Sequence, residues 1–146
     1  MPYKNIELNP AQFSPVFTAQ ESHFYKGFST VAWSKTRTTE LYDLELIKQD
    51  LLNNFNTRQG ERVMQPLAGT VIWSLIFEPF TESVKQSIAD DISRICNSDP
   101  RVIPIQIDVD EQEYGMLLEL TLQLVNSNQT LTLALNFDRE LGFITQ

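Results

Sequence analysis

Two acids are enough to hydrolyse a glycosidic bond, so the carboxylates are the first residues to weigh. Glu78 closes an apolar block, a setting that can raise a carboxyl pKa, and Glu82 or Asp90 could serve as the second acid. The competing reading makes Glu78 the end of a short helix, with Glu82 and Asp90 on a solvated helix surface. Acids on helix surfaces are common, and that reading is preferred. Other chemistry is thinner still. His23 is the only histidine and lies in an irregular region, so any Ser-His-Asp or Cys-His arrangement would have to be built around it. One histidine and one cysteine, Cys96, far apart in the chain cannot supply a metal site. Gly27, Gly60, Gly69, Gly115 and Gly142 never fall into a phosphate-cradling spacing. The expectation is no catalytic residue, no metal and no cofactor.

Two charged clusters remain. Thr57-Arg58-Gln59-Gly60-Glu61-Arg62 sets Arg58, Glu61 and Arg62 around a glycine, as a solvated turn with internal ion pairs would. In Asp99-Pro100-Arg101 the proline stiffens the chain. Residues 99 and 101 of an extended segment project to the same side, offering an acceptor and a planar fork together. Such a pair can close on itself or clamp the end of a partner's helix. Chemistry alone favours the internal pair.

These clusters must be carried by a chain of 146 residues, enough for one domain with a real core. A 42% hydrophobic share with nine Phe and two Trp favours a folded chain over disorder. The formal charge of −8 argues against a duplex-DNA binder, which needs a clustered basic face. A single cysteine excludes an intramolecular disulfide and is compatible with a reducing compartment. There is no signal-peptide pattern and no apolar run of transmembrane length, so a soluble protein not exported by a classical signal is expected. The Asn128-Gln129-Thr130 sequon is then accidental.

Residues 1–37 show no sustained period. Pro2, Pro10 and Pro15 break any helix, while Phe13, Phe17, Phe24, Tyr25, Phe28 and Trp33 make the segment aromatic-rich. It is expected to be an extended arm, packed along its own domain or on a neighbouring subunit. Residues 38–146 are expected to form one α+β domain. Leu41, Leu44, Ile47, Leu51 and Phe55 predict a helix over Thr39–Phe55, capped by Thr38 or Thr39. The block Val71–Phe77 predicts a short helix pressed into a core, after Gly60, Pro66 and Gly69 have turned the chain. Val84, Ile88, Ile92 and Ile95 predict a second long helix, Thr81–Cys96, capped by Thr81, with Asp90 pairing Arg94 across one turn.

Three period-two runs follow. Ile103, Ile105, Ile107 and Val109 form the first, then Leu118, Leu120, Leu122 and Leu124, then Leu131, Leu133, Leu135 and Phe137. They predict an antiparallel meander with one apolar face that the helices cover, a two-layer α+β sandwich. Thr130–Phe137 contains no proline and no lysine and is the expected open edge, with Thr130, Thr132, Ala134 and Asn136 on its outer face. The alternatives are that Leu141–Ile144 folds back over that edge, or that Val102–Val109 is the exposed strand.

The order T-R-x-G-E-R (Thr57–Arg62), P-x-x-G (Pro66–Gly69), then an apolar block ending in Phe77-Glu78-Pro79 carries a resemblance. It is similar to the baseplate-wedge protein of contractile-tailed phages, a family shared with type VI secretion systems and contractile bacteriocins and often labelled lysozyme-like. The likeness runs from roughly Phe24 to Phe137. It implies a structural protein of the virion tail baseplate, assembled in the host cytoplasm, without turnover or cofactor. It also implies that Asp99, Pro100 and Arg101 match a Glu-Pro-Arg tripeptide that docks on the helical core bundle of the wedge, with aspartate in place of the family's glutamate. Arg58 and Arg62 are expected as further partner contacts. The implied partners are other wedge proteins and tail-sheath subunits, the first sheath ring being templated on the outer strand at Thr130, Thr132, Ala134 and Asn136. Neither nucleic acid nor membrane is expected. The rivals are a peptidoglycan-cleaving glycosidase dependent on Glu78, and a small regulatory binding protein of the same fold.

Overall fold

The computed structural model describes residues 23–34 and 37–145. The part of the expected arm before residue 23 lies outside them. Strand β1 (Lys26–Ser34) and strand β2 (Arg37–Tyr42) pair antiparallel, from Lys26 opposite Tyr42 to Ser34 opposite Arg37. Helix α1 (Asp43–Asn56) follows at once. The helix predicted from Thr39 therefore starts four residues late, and Thr38 and Thr39 are not its caps. Tyr42 occupies the N-cap position with no side-chain cap, and Leu41 belongs to the hairpin. Pairing with β1 holds residues 37–42 extended and overrides the helical spacing of the leucines. Asp43 makes the corner with a φ of 39°, accepting from the Phe24 and Tyr25 N–H groups at 2.9 and 2.7 Å.

Helix α2 (Ile72–Leu75) is the short element predicted; it buries Ile72, the adjoining Ile76 is buried too, and Phe77 is left exposed. Helix α3 (Glu82–Ser98) is capped by Thr81, whose side chain accepts from the Val84 N–H at 3.3 Å. Its stripe of Ile88, Ile92 and Ile95 is buried, and Cys96 beside it is inert, since burial and the charge of Asp99 push its thiol up to about 12. Asp90 accepts from Gln86 instead of pairing Arg94, which turns to Asp91.

Strands β3 (Val102–Gln112), β4 (Gly115–Leu124), β5 (Thr130–Asp138) and β6 (Gly142–Thr145) form one antiparallel sheet in that order. On its inner face Leu118, Leu120 and Leu122 lie opposite Leu135, Leu133 and Leu131, all buried as their alternation predicts. Each such side chain contributes about 2 kcal/mol of burial. Residues of α1, α2 and α3 pack on this face in a single core with β3, β4 and β5, which is the predicted two-layer α+β sandwich.

The first strand departs from its pattern. Ile103 and Ile105 are 51% and 57% exposed, while Val102 and Val109 are buried. Pro104 pairs Leu122 and Gln106 pairs Thr121, so Ile105 has no opposite number. This bulge shifts the phase by one residue. Before it the inner positions are Val102 and Pro104; after it they are Ile107 and Val109. A regular alternation in the sequence had hidden an irregular strand.

Candidate functional site

The connector between α1 and α2 is built from two glycines and a buried acid. Gly60 has φ +87° with open space around it, as a tight charged turn requires. Gly69, at φ +89°, lies so close to the preceding turn that a Cβ there would sit 2.5 Å from the Thr57 carbonyl oxygen. The two ends of the loop are stitched together where Thr70 N–H donates to the Thr57 carbonyl and Gln59 N–H to the Thr70 carbonyl. Asp91 of α3 then clamps the loop. One carboxylate oxygen accepts from Thr70 Oγ1 at 2.7 Å and from Val71 N–H at 2.9 Å. The other accepts from Arg94 Nη2 at 2.6 Å and Nε at 3.1 Å. Arg94 also donates to the carbonyls of Leu67 and Gly69, at 2.9 and 2.8 Å. Sequence reasoning passed over Asp91 and Thr70 and assigned Arg94 to Asp90 instead. A signal existed: Asp91 sits three residues after Ile88 and four before Ile95, on the apolar stripe, with an arginine one turn on.

The predicted contact residues of this loop behave differently from one another. Arg58 stacks its guanidinium over Trp73, 5.7 Å from the ring centroid, and its N–H donates to Glu61. Arg62 is exposed, and its side chain makes no hydrogen bond or ion pair among the described residues.

At the far end of α3, Asp99 is extended at φ −100° and ψ 111°, as the following proline dictates. Arg101 folds back on it as a fork, with Nε 2.8 Å from one carboxylate oxygen and Nη2 2.6 Å from the other. Nη2 also reaches Asp50 of α1 at 2.8 Å, and the guanidinium carbon lies 5.8 Å from the centroid of the Tyr25 ring. The internal pair that chemistry favours is thus present, and it has a third member, Asp50, that sequence spacing did not reveal. Burial works against the charge of Asp99, but the side-chain and backbone hydrogen bonds from Arg101 outweigh it and hold the carboxyl below the usual range. The hydrogen bond to Asp99, opposed by burial and aided by Asp50, raises the Arg101 guanidinium further above its ordinary value. Arg101 Nη1 has no acceptor among the described residues.

The acids weighed for glycoside hydrolysis are not brought into a cleft. Glu78, Glu82 and Asp90 are all exposed, and open cavities of about 520, 530 and 340 Å³ are lined by other residues. His23 stacks on Tyr42 and contacts Asp43 at 3.2 Å, so it helps fasten the chain to the start of α1. The strand expected to be the open edge, β5, is instead followed in the sheet by β6, which pairs with it from Leu135 to Asp138. Asn136 therefore lies beside Ile144. Thr130, Thr132 and Ala134 have no strand on that side among the described residues. The fold-back of residues 141–144 is real, yet it covers only half of the edge.

Residues 42–129 match the family model described as Baseplate wedge protein gp25. No curated protein matches the chain. Among solved structures, the chain is similar to a Geobacter sulfurreducens protein that bears the name tail lysozyme, a name and not an assay. That likeness has a TM-score of 0.53 and 19% identity over 63% of this chain and 90% of the other, and it speaks to the fold.

Proposed function

The chain belongs to the baseplate wedge protein gp25 family and is a structural component of a phage tail baseplate, and on that premise we propose that it docks on the wedge core bundle and templates the first sheath ring. The observation that carries the docking is the fork at the end of α3, inside the matched residues. Asp99 and Asp50 hold the Arg101 plane rigidly, so the remaining Nη1 offers a pre-aimed donor to an acceptor on a partner helix. Arg58 and Arg62 supply further contacts from the neighbouring loop. For the sheath, the uncovered half of β5 at Thr130, Thr132 and Ala134 supports β-augmentation, with Asn136 at its border under β6. The other edge, β3, is broken by Pro104 and a bulge and is the poorer template. Assembly takes place in the host cytoplasm, and the protein turns over no substrate.

One reconstitution tests both contacts. Arg101→Lys keeps the charge but loses the fork, and is expected to lower recovery with the wedge core proteins about tenfold or more. Thr132→Pro, or Thr130→Pro if the former fails to melt cooperatively, is expected to spare that recovery and block sheath polymerisation. The same preparation should clear peptidoglycan no better than a Glu78→Gln control. Normal wedge recovery with Arg101→Lys, or Glu78-dependent clearing, would overturn the reading.

A further inference from the structure

The loop that Asp91 and Arg94 hold in place carries a cost with no return inside the chain. Its tip exposes Val63 at 90%, Met64 at 94% and Leu67 at 74%, the densest run of exposed large apolar residues among those described. Met64 also adopts φ +67°, the left-handed region that an unbranched non-glycine residue enters at a cost. A solvated turn would place polar residues there. The tip is not slack either: Gln65 N–H donates to the Arg62 carbonyl, Ala68 N–H to the Gln65 carbonyl, and Arg94 takes the carbonyls of Leu67 and Gly69. An apolar tip held stiffly in water is pre-organised for something outside the chain.

Behind the tip lies the open groove of about 520 Å³, floored by Gly69 and Ile95 and walled by Met64, Leu67, Asn54 and Arg62. Arg62 is its unpaired cation, in a chain whose formal charge is −8. We infer that this groove receives an amphipathic α-helix of a partner protein, with apolar side chains between Met64 and Leu67 and a carboxylate on Arg62. The inference deepens the proposed function and rests on it only in taking this chain for a docking component. Residues 62–69 run as successive turns with several of their N–H and C=O groups already bonded, so the loop offers an incoming strand no extended edge to pair with. A helix satisfies its own backbone and presents side chains alone, which is what an apolar wall and a single guanidinium can use. The carboxylate follows from Arg62, since a basic helix would meet an unpaired like charge.

The test uses the full chain and three synthetic helices of about four turns, which share one leucine stripe. One carries glutamate flanking the stripe, one carries lysine at the same positions, and one has the leucines scrambled. Fluorescence anisotropy is expected to show binding of the glutamate helix, with the scrambled helix at least tenfold weaker. Leu67→Asp and Met64→Asp should each weaken the glutamate helix about tenfold, and Arg62→Glu should reverse the preference to the lysine helix. All three positions are exposed, so unchanged thermal unfolding of the variants is expected. Equal binding of the acidic and basic helices, indifference to Leu67→Asp, or no binding at millimolar peptide would overturn the inference. So would sedimentation showing a dimer that Leu67→Asp dissociates, because the tip would then belong to a contact between copies. No wedge protein is present, so failure here leaves the Arg101 docking standing, and failure of that docking leaves this result unaffected.

Discussion

Helix α3 and the turn that follows it carry two arginine–carboxylate pairs built in opposite senses. In the first, Asp91 is 6% exposed and Arg94 is 41% exposed, so the acid is the buried partner and the arginine caps it from outside. In the second, Arg101 is 22% exposed between Asp99 at 15% and Asp50 at 42%, so the base is the shared centre. The first pair fastens a loop; the second fastens α1 to the turn between α3 and β3. A salt bridge is therefore not a symmetric object here. The member that more groups depend on is the one whose loss leaves polar atoms stranded in the interior.

The largest effect is expected from Asp91→Ala. It removes the acceptor of Thr70 Oγ1, Val71 N–H and Arg94 together, and should cost about 3–4 kcal/mol in urea unfolding. Arg94→Ala leaves the Thr70 and Val71 bonds to Asp91 intact but strips that carboxylate of its counter-charge and the Leu67 and Gly69 carbonyls of their donor, and should cost about 2–3 kcal/mol. Equal losses would break the asymmetry. Next comes Arg101→Ala, at about 2 kcal/mol, because Asp99 is left with little solvent to replace the fork. Asp50→Ala, on the exposed side of the same centre, should cost under about 1 kcal/mol by the same measurement.

The smallest effect is a pH dependence that sharpens the second pair. The folded pKa of Asp99 lies below its unfolded value, so its contribution is present above the unfolded pKa of about 4. That contribution is lost as pH falls through the folded value. The stability gap between wild type and Arg101→Ala should therefore shrink when urea midpoints are followed downward from about pH 6. Asp43 and Asp138 also have lowered values, so both proteins lose stability in acid, and only the difference between them reports on Asp99. A gap that stays constant would mean that the fork does not hold that carboxylate charged.

The meander and the charged fork were legible because each is a local pattern. Leu118–Leu124 and Leu131–Phe137 alternate without interruption, and a strand needs no more than its own period and a neighbour to bury one face. The same rule misled at β3. Ile103 and Ile105 share the phase of Ile107 in the sequence, but the extra residue of a bulge turns them out of the core. The helix start at Asp43 was hidden for a related reason, since pairing with β1 wins over the spacing of Leu41 and Leu44. For the candidate site, Gly60, Gly69 and Arg101 could be chosen by type and spacing. Asp50 could not, because the chain that brings it to Arg101 is 51 residues long.

The sequence by itself determined the elements whose stability is counted over near neighbours: the α3 stripe with its Thr81 cap, the proline stop at Pro100, the paired leucine strands, and the acid and fork of residues 99 and 101. Only the tertiary structure decided which polar groups would lose water together. Asp91 became an interior clamp when α3 packed against Thr70, Arg101 became a shared centre when α1 arrived beside it, and half of β5 was covered when β6 returned. The reason is physical. Hydrophobic periodicity is written along the chain, whereas desolvation and hydrogen-bond partners depend on what lies across it.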